Sequence, residues 1–292
     1  MDYALILRKQ YDNNIKIDKQ QALNLLNNSE LINQLTSDFI PKPLFCIWRL
    51  IALSEIPYTK YLPYTNKVID YILKYLTHEY GFSLTGKVDD LLPCYNAMII
   101  EALCKLGYSH LKEVKNGINW IKKYQRFERG SKTLWDKPGV RKYGGCMKET
   151  PCFIGIAKTS KALIYYQKYN VENDVKIETR INRSIDYILM HHLFQRLSNQ
   201  QPINHHILDL SFPPSYQLNI IELLEIMYQT NNINHPNVTE AIDFIQSKKT
   251  KDDYWKRNYN YKAEGYVNFD NPRVKAEWLT YLLNQYLNKC KV

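Results

Sequence analysis

One short string occurs four times along the chain and constrains its fold more than any other feature. It reads Ile, then Asp or Asn, then an aromatic residue, then Ile, and its copies begin at Ile69, Ile118, Ile185 and Ile242. The copies are 49, 67 and 57 residues apart. Each lies in a segment whose apolar residues recur with the period of a helix. Such self-similarity is typical of repeat architectures.

A second helix is predicted after each copy, and it begins at a proline. The starts are Pro93, Pro151, Pro213 and Pro272, with Pro41 or Pro43 opening an earlier helix. Proline suits the first helical position because its missing N–H breaks no hydrogen bond there. These segments are apolar on nearly all sides, which predicts burial. We therefore expect an all-α chain of about five pairs, each with an outer and an inner helix. The first pair is Gln20–Thr36 and Pro41–Ser54.

Length and composition limit the class of protein. A chain of 292 residues with a repeat of this kind fits a single domain over residues 1–292. No apolar run reaches the roughly 18 residues of a membrane span, and the first 20 residues lack a signal-peptide core. Six cysteines are too few for a disulfide framework, which predicts reduced thiols and a cytoplasmic location. The sequence leaves the oligomeric state open.

The net charge of +10 favours an anionic partner. Nucleic acid, a phospholipid surface and a diphosphate ligand all fit that sign. Basic residues alternate with aromatic ones between Lys248 and Tyr261, but no nucleic-acid-binding motif accompanies them, so nucleic acid is disfavoured. Peripheral contact with a membrane stays open. A cluster of basic residues between Arg129 and Lys148 favours a diphosphate-like ligand at that loop.

Several segments, taken in order, resemble the prenyltransferase and squalene-cyclase repeat family. They begin at Pro93-Cys94 and continue with Asp136-Lys137-Pro138-Gly139, Tyr143-Gly144-Gly145-Cys146, Pro151-Cys152-Phe153-Ile154-Gly155, Phe212-Pro213-Pro214-Ser215-Tyr216 and the ending from Pro272 to Thr280. The resemblance covers roughly Thr65 to Lys289. The acidic motifs of the squalene-type cyclases and of the isoprenoid synthases are absent, because Asp89-Asp90 and Asp252-Asp253 lack the further aspartate.

The resemblance implies an α/α toroid with a central cavity. It also implies an isoprenoid-handling enzyme of the prenyltransferase or terpene cyclase type, acting on a prenyl diphosphate or polyprenyl substrate. The alternative is a non-catalytic toroid that binds a peptide or a lipid.

A zinc site is predicted at the starts of two inner helices. Cys94 and Cys152 occupy the same position in successive repeats, and Cys146 lies in the loop between them. Three thiolates suit zinc, with His192 as the fourth ligand and Asp136 as a second choice. An enzyme of this type is expected to carry zinc or magnesium. The alternative is that Cys94 and Cys152 are small buried residues that pack helix ends.

Substrate contacts are predicted at loop ends and inner-helix starts. The candidates are Trp135, Asp136, Tyr143, Tyr216, Arg273 and Trp278. Aromatic rings there would line an apolar cavity and stabilise cationic character through their π-faces. Arg273 would face a diphosphate at the rim that carries the cysteines. For Trp135, Tyr216 and Trp278, packing in the core is an equally weighted alternative.

Overall fold

The computed structural model describes residues 1–138, 150–170 and 174–289, which are mostly helical. The helical class predicted from the sequence is confirmed. Within those ranges there are twelve α-helices: α1 Tyr3–Asp12, α2 Lys19–Asn27, α3 Glu30–Thr36, α4 Pro43–Ser54, α5 Pro63–Tyr75, α6 Pro93–Lys105, α7 Lys112–Tyr124, α8 Phe153–Tyr169, α9 Val175–Met190, α10 Ile220–Gln229, α11 Thr239–Ser247 and α12 Glu277–Asn288. Strands β1 Thr77–His78 and β2 Gly81–Phe82 form one antiparallel hairpin.

The four repeated strings lie in α5, α7, α9 and α11, as predicted for outer helices. In every copy the Asp or Asn is exposed and the last Ile is buried, so the string marks the boundary between the two faces of an amphipathic helix. Asp70 and Ile72 of α5 illustrate the pattern. The short string thus repeats because each outer helix buries one face and exposes the other.

The inner helices are α4, α6, α8, α10 and α12, and each packs against the next in that order. They are buried on nearly all sides. In α4, nine successive residues from Phe45 to Leu53 are buried. Proline opens α4 at Pro43 and α6 at Pro93, as predicted. Among the described residues, no helix is both long and apolar enough to cross a membrane.

Three predicted proline starts are wrong. The helix expected at Pro151 begins two residues later, at Phe153. The helix expected at Pro213 begins at Ile220, where the Asn219 side chain accepts from the N–H groups of Ile221 and Glu222. The helix expected at Pro272 begins at Glu277. A side-chain acceptor satisfies N–H groups that a proline cannot, so the polar cap fixes the start of α10.

The start of the last inner helix has a carboxylate in the same role. Asp270 accepts hydrogen bonds from the N–H groups of Trp278 and Leu279 at 2.9 and 3.1 Å. The predicted outer helix Gln20–Thr36 is also two helices, because Ser29 caps a new helix through its bond to the Ile32 N–H. A further helix, α1, precedes both.

An aromatic cluster lies near the N-terminal ends of the inner helices. We define it as Trp48, Tyr95, Tyr216, Tyr261 and Tyr266. The Trp48 ring centroid lies 5.3 Å from that of Tyr261, and Tyr95 stacks on Tyr216 at 5.7 Å. The loops that precede α6 and α10 end at this cluster, so rings fill the space between those helix starts.

Candidate functional site

A cleft of about 530 Å³ lies at the opposite end of the inner helices. The C-terminal ends of α4, α6, α8, α10 and α12 all reach it, which shows that the five inner helices point the same way. Part of α1 and the turn after α4 complete the wall. Six tyrosines line it: Tyr11, Tyr58, Tyr61, Tyr165, Tyr169 and Tyr228.

The cleft carries more positive than negative side chains. Its cations are Arg8, Lys60, Lys105, Lys168 and Lys289, and its carboxylates are Asp12 and Glu55. If all these groups are ionised, the formal charge of the lining is +3. The cleft is therefore a candidate site for an anion.

Two of the five cations have carboxylate partners. Arg8 Nε lies 2.7 Å from Asp12 Oδ2, and Lys105 Nζ lies 2.7 Å from Glu55 Oε1. Among the described residues, no carboxylate oxygen lies within 4.0 Å of the amine of Lys60, Lys168 or Lys289. These three lysines supply the excess charge.

The three lysines differ in their remaining contacts. Lys289 Nζ donates to the carbonyl oxygen of Tyr228 at 3.3 Å and to the Asn231 side chain at 2.8 Å. That is the usual role of a lysine at a helix C-terminus, where carbonyl groups lack partners. Lys168 Nζ donates to the side-chain oxygen of Gln229 at 3.3 Å, and Lys60 Nζ lies 5.3 Å from the Tyr61 ring. The latter two amines are the better placed to meet a ligand.

The floor of the cleft is a buried network of charged groups. We call it the central ion cluster and define it as three lysines and four glutamates: Lys105, Lys158, Lys161, Glu55, Glu101, Glu222 and Glu225. Every one of these side chains is at most 8% exposed. Charged groups this deeply buried are stable only when they are paired, and the geometry provides that pairing.

Lys161 lies at the middle of the cluster. Its Nζ is 2.9 Å from Glu225, 3.0 Å from Glu101 and 3.3 Å from Glu222. Three carboxylates from α6 and α10 therefore share one ammonium from α8. Burial alone would lower the pKa of Lys161, but the carboxylates outweigh it and raise the pKa.

Lys158 and Lys105 extend the cluster in opposite directions. Lys158 Nζ contacts both carboxylate oxygens of Glu222 at 2.6 and 2.7 Å and the Ser215 carbonyl oxygen at 2.7 Å. Burial nevertheless lowers its pKa. Lys105 contacts Glu55 and Glu101, each at 2.7 Å, and so brings the cluster to the cleft.

The carboxylates respond to burial and to these lysines. Burial raises the pKa of Glu101 and Glu225, but Lys105 and Lys161 lower it by more, so both stay ionised. For Glu55 burial has the larger effect, and its pKa is raised. Tyr165 links the two regions, since its hydroxyl donates to Glu225 and its ring lines the cleft 4.2 Å from the Lys105 amine.

The structure disperses the predicted substrate residues. Trp135 is buried against Trp120 and Tyr124, and Trp278 is buried against Phe212 and Phe269, so both occupy packed aromatic environments. None of the predicted substrate residues that the structure describes lines the 530 Å³ cleft.

The remaining predicted contacts lie at other places. Tyr216 belongs to the aromatic cluster. Asp136 and Arg273 are exposed, and Arg273 donates its backbone N–H to Asn271. Tyr143 lies outside the described residues.

The predicted zinc ligands are brought together only in part. Cys94 and Cys152 lie close enough to interact electrostatically, and burial followed by Cys152 raises the pKa of Cys94 to about 12. His192 lies 3.9 Å from Glu240, whereas the ring of His191 packs on Phe153 at 5.1 Å. Cys146 lies outside the described residues. Within those residues, no group of three or more His, Cys, Asp or Glu side chains is placed to hold a metal ion.

The ion cluster has a signal in the sequence that is separate from the repeats. In α8 the polar residues Lys158, Lys161, Tyr165 and Lys168 recur at intervals of three and four, on one face of a largely buried helix. In α10 Glu222 and Glu225 recur in the same way. Opposite charges at helical spacing in two buried helices indicate faces that meet.

Comparison of the chain with protein-family models, with curated proteins and with solved structures finds no match. Function is therefore inferred from the geometry of the cleft and from its charge.

Proposed function

We propose that this chain binds a small organic anion that carries a phosphate or diphosphate group, in the tyrosine-lined cleft. The observation that carries the proposal is the pair of amines Lys60 and Lys168, which face the cleft without a carboxylate partner among the described residues. Phosphate oxygens are strong acceptors for ammonium groups. Tyrosine rings and hydroxyls suit the organic part of such a ligand.

The C-terminal ends of the inner helices repel an anion in the cleft, so this repulsion must be compared with the attraction of the lysines. A helix C-terminus carries about −0.5 of an elementary charge, and its effect on a neighbouring charge is about 0.3–1 kcal/mol. A hydrogen bond to a charged group contributes about 1.5–3 kcal/mol. Lys289 compensates one helix end through the Tyr228 carbonyl. Lys60 and Lys168 donate to no backbone carbonyl among the described residues, so both amines are available to a ligand. Their two hydrogen bonds would contribute about 3–6 kcal/mol, against about 1–4 kcal/mol from the four other helix ends.

A prenyl diphosphate is the member of this class that the family resemblance favours. We propose the α/α toroid on the same basis, and two observations support it. The five inner helices pack in succession, and the segment before α12 approaches α4 so closely that a Cβ at Gly265 would lie 2.6 Å from the Phe45 Cα. Charged groups and rings occupy the space between the inner helices. We therefore place the prenyl chain along the tyrosines.

Zinc and magnesium stay predictions of the resemblance. Magnesium would accompany a diphosphate, and zinc would need Cys146 in addition to Cys94 and Cys152. The described residues by themselves do not form a zinc site. A cytoplasmic location and a single domain over residues 1–292 also stay predictions.

Calorimetric titration of the full-length protein with inorganic pyrophosphate and with geranyl diphosphate tests the proposal. We expect saturable binding with a Kd of about 1 mM or tighter, weakened by salt. Replacing both Lys60 and Lys168 with Gln should weaken binding about 100-fold, as expected for the loss of about 3 kcal/mol. Lys176→Gln, at an exposed position of α9, is the matched control.

The outcomes separate the hypotheses. Absence of saturable binding, or equal binding by the double variant and the wild type, would show that the cleft is not an anion site. Geraniol, which lacks the diphosphate, should not compete. Binding of geranyl diphosphate with no release of pyrophosphate over hours would favour the non-catalytic alternative over an enzyme.

A further inference from the structure

Lys168 differs from the other lysines of the cleft in its charged surroundings. It lies on the last turn of α8, and its amine has access to solvent within the cleft. The charged groups that act on it come from three other elements: Arg8 and Asp12 on α1, Lys105 on α6 and Glu225 on α10. Its own hydrogen-bond partner is the neutral Gln229.

The two carboxylates near Lys168 are already occupied by other groups. Asp12 accepts from Arg8 at 2.7 Å and from the Tyr281 hydroxyl at 2.9 Å. Glu225 accepts from Tyr165 and lies 2.9 Å from Lys161. The Lys168 amine therefore has two cations nearby and no carboxylate in contact with it among the described residues.

We propose that Lys168 is a reactive amine that forms an imine with an anionic carbonyl compound, specifically a phosphate-bearing aldehyde or ketone. This inference rests on the proposed function, because the phosphate would be held in the same cleft by the remaining cations. A lysine becomes a nucleophile at neutral pH when it is partly desolvated or lies beside another cation. The second condition fits Lys168, because its amine and that of Lys105 lie 5.7 and 4.2 Å from the same ring, that of Tyr165.

The direction in which the pKa of Lys168 shifts agrees with these contacts. Partial desolvation, followed by Arg8 and Lys105, lowers the pKa of Lys168 below its ordinary value. A larger fraction of the amine is then neutral, and each unit of lowering raises that fraction about tenfold.

The reaction needs no co-reactant. The neutral Lys168 nitrogen attacks the carbonyl carbon, a C–N bond forms, and the C=O π electrons move to oxygen. A proton passes from nitrogen to that oxygen and gives a carbinolamine. Loss of water, with the second nitrogen proton, leaves the C=N bond. One amine and one carbonyl thus yield one imine and one water, without oxidation or reduction.

Pyridoxal 5′-phosphate is the probe, because it combines an aldehyde with a phosphate. The full chain is treated with a substoichiometric amount, reduced with borohydride and digested, and the labelled peptides are measured by mass spectrometry. We expect Lys168 to be the most heavily labelled lysine, because it lies in the cleft that holds the phosphate and no carboxylate among the described residues contacts its amine. Inorganic pyrophosphate should protect it.

Two variants decide the result. Lys168→Arg keeps the charge but cannot form an imine, so the dominant label should disappear, with melting temperature as the check on folding. Lys176→Arg, at an exposed position of α9 outside the cleft, should leave labelling at Lys168 in place. Label distributed over exposed lysines, or unchanged by Lys168→Arg, would overturn the inference. If pyrophosphate binds by calorimetry while Lys168 stays unlabelled, only this inference fails and the proposed function stands.

Discussion

Replacing Lys161 with Met tests how the central ion cluster is stabilised. The change keeps a side chain of similar length but removes the ammonium that three glutamates share at 2.9, 3.0 and 3.3 Å. Three carboxylates then lie together with fewer compensating charges. Breaking a buried ion pair by removing one partner costs about 3–5 kcal/mol.

The variant has one way to limit that cost, which is to protonate a glutamate. With an ordinary pKa of about 4.3, protonation costs about 4 kcal/mol at pH 7 and about 1 kcal/mol at pH 5. We therefore expect the loss in free energy of unfolding to be about 4 kcal/mol at pH 7 and to shrink towards about 1 kcal/mol at pH 5. A loss of this size is a large fraction of the roughly 5–15 kcal/mol of a typical domain.

The direction of this pH dependence follows from the linkage between proton binding and folding. In the wild type the lysines lower the pKa of Glu101 and Glu225 against the effect of burial, so these pairs stabilise the fold above the unfolded pKa and lose that effect as the pH falls. In the variant the remaining carboxylates bind protons more tightly when folded, so a falling pH favours the native state. Both trends reduce the difference in free energy of unfolding between the wild type and the variant at low pH.

Urea unfolding followed by far-UV circular dichroism at pH 5, 6, 7 and 8 measures the effect. Lys176→Met, at an exposed position of α9, is the matched control and should change the free energy of unfolding little at any pH. A loss for Lys161→Met below about 1 kcal/mol at pH 7, or one that does not depend on pH, would refute the reasoning.

Three further predictions concern other parts of the fold. Burial raises the pKa of Asp270 to about 6, so this group favours the native state less as the pH rises from about 4 to 6, and carbon-13 NMR of its carboxyl should titrate near 6. A normal aspartate value would contradict this. A Cβ at Gly81 would lie 2.6 Å from Asn96 Oδ1 and 2.7 Å from Gly117 Cα, whereas one at Gly130 meets nothing within 4 Å. Both glycines have positive φ, so Gly81→Ala should lower stability by about 1–3 kcal/mol more than Gly130→Ala in urea unfolding, and equal losses would exclude the contact as the cause. Elemental analysis tests the zinc prediction, since one zinc per chain, lost in Cys94→Ser, would support it and a metal-free protein would count against it.

The outer helices could be predicted because their signal is local. Asp70 and the equivalent residues of the other copies are exposed while the isoleucine two positions later is buried, so four residues carry the whole pattern. Proline marked the starts at Pro43 and Pro93 for the same local reason. It failed at Pro213, because Asn219 six residues later supplies the side-chain acceptor that fixes the start of α10.

The cleft could not be predicted, because its residues come from the far ends of helices that are distant in sequence. Arg8 and Lys289 both line it although almost the whole chain separates them. The predicted substrate contacts lay at loop ends and inner-helix starts, which is the other end of those helices. The spacing of Lys158 and Lys161 within an apolar helix was the available clue, since two lysines on a buried face require acids opposite.

The order of charges across the inner helices has an evolutionary consequence. The helix that carries Lys158 and Lys161 lies between two that carry glutamates, one with Glu101 and one with Glu222 and Glu225. Repeat proteins commonly lengthen by duplicating a unit, which requires that neighbouring units be interchangeable. Here a duplicated unit would place acid against acid or amine against amine. The buried charges of these three helices thus oppose the duplication of any one of them beside itself.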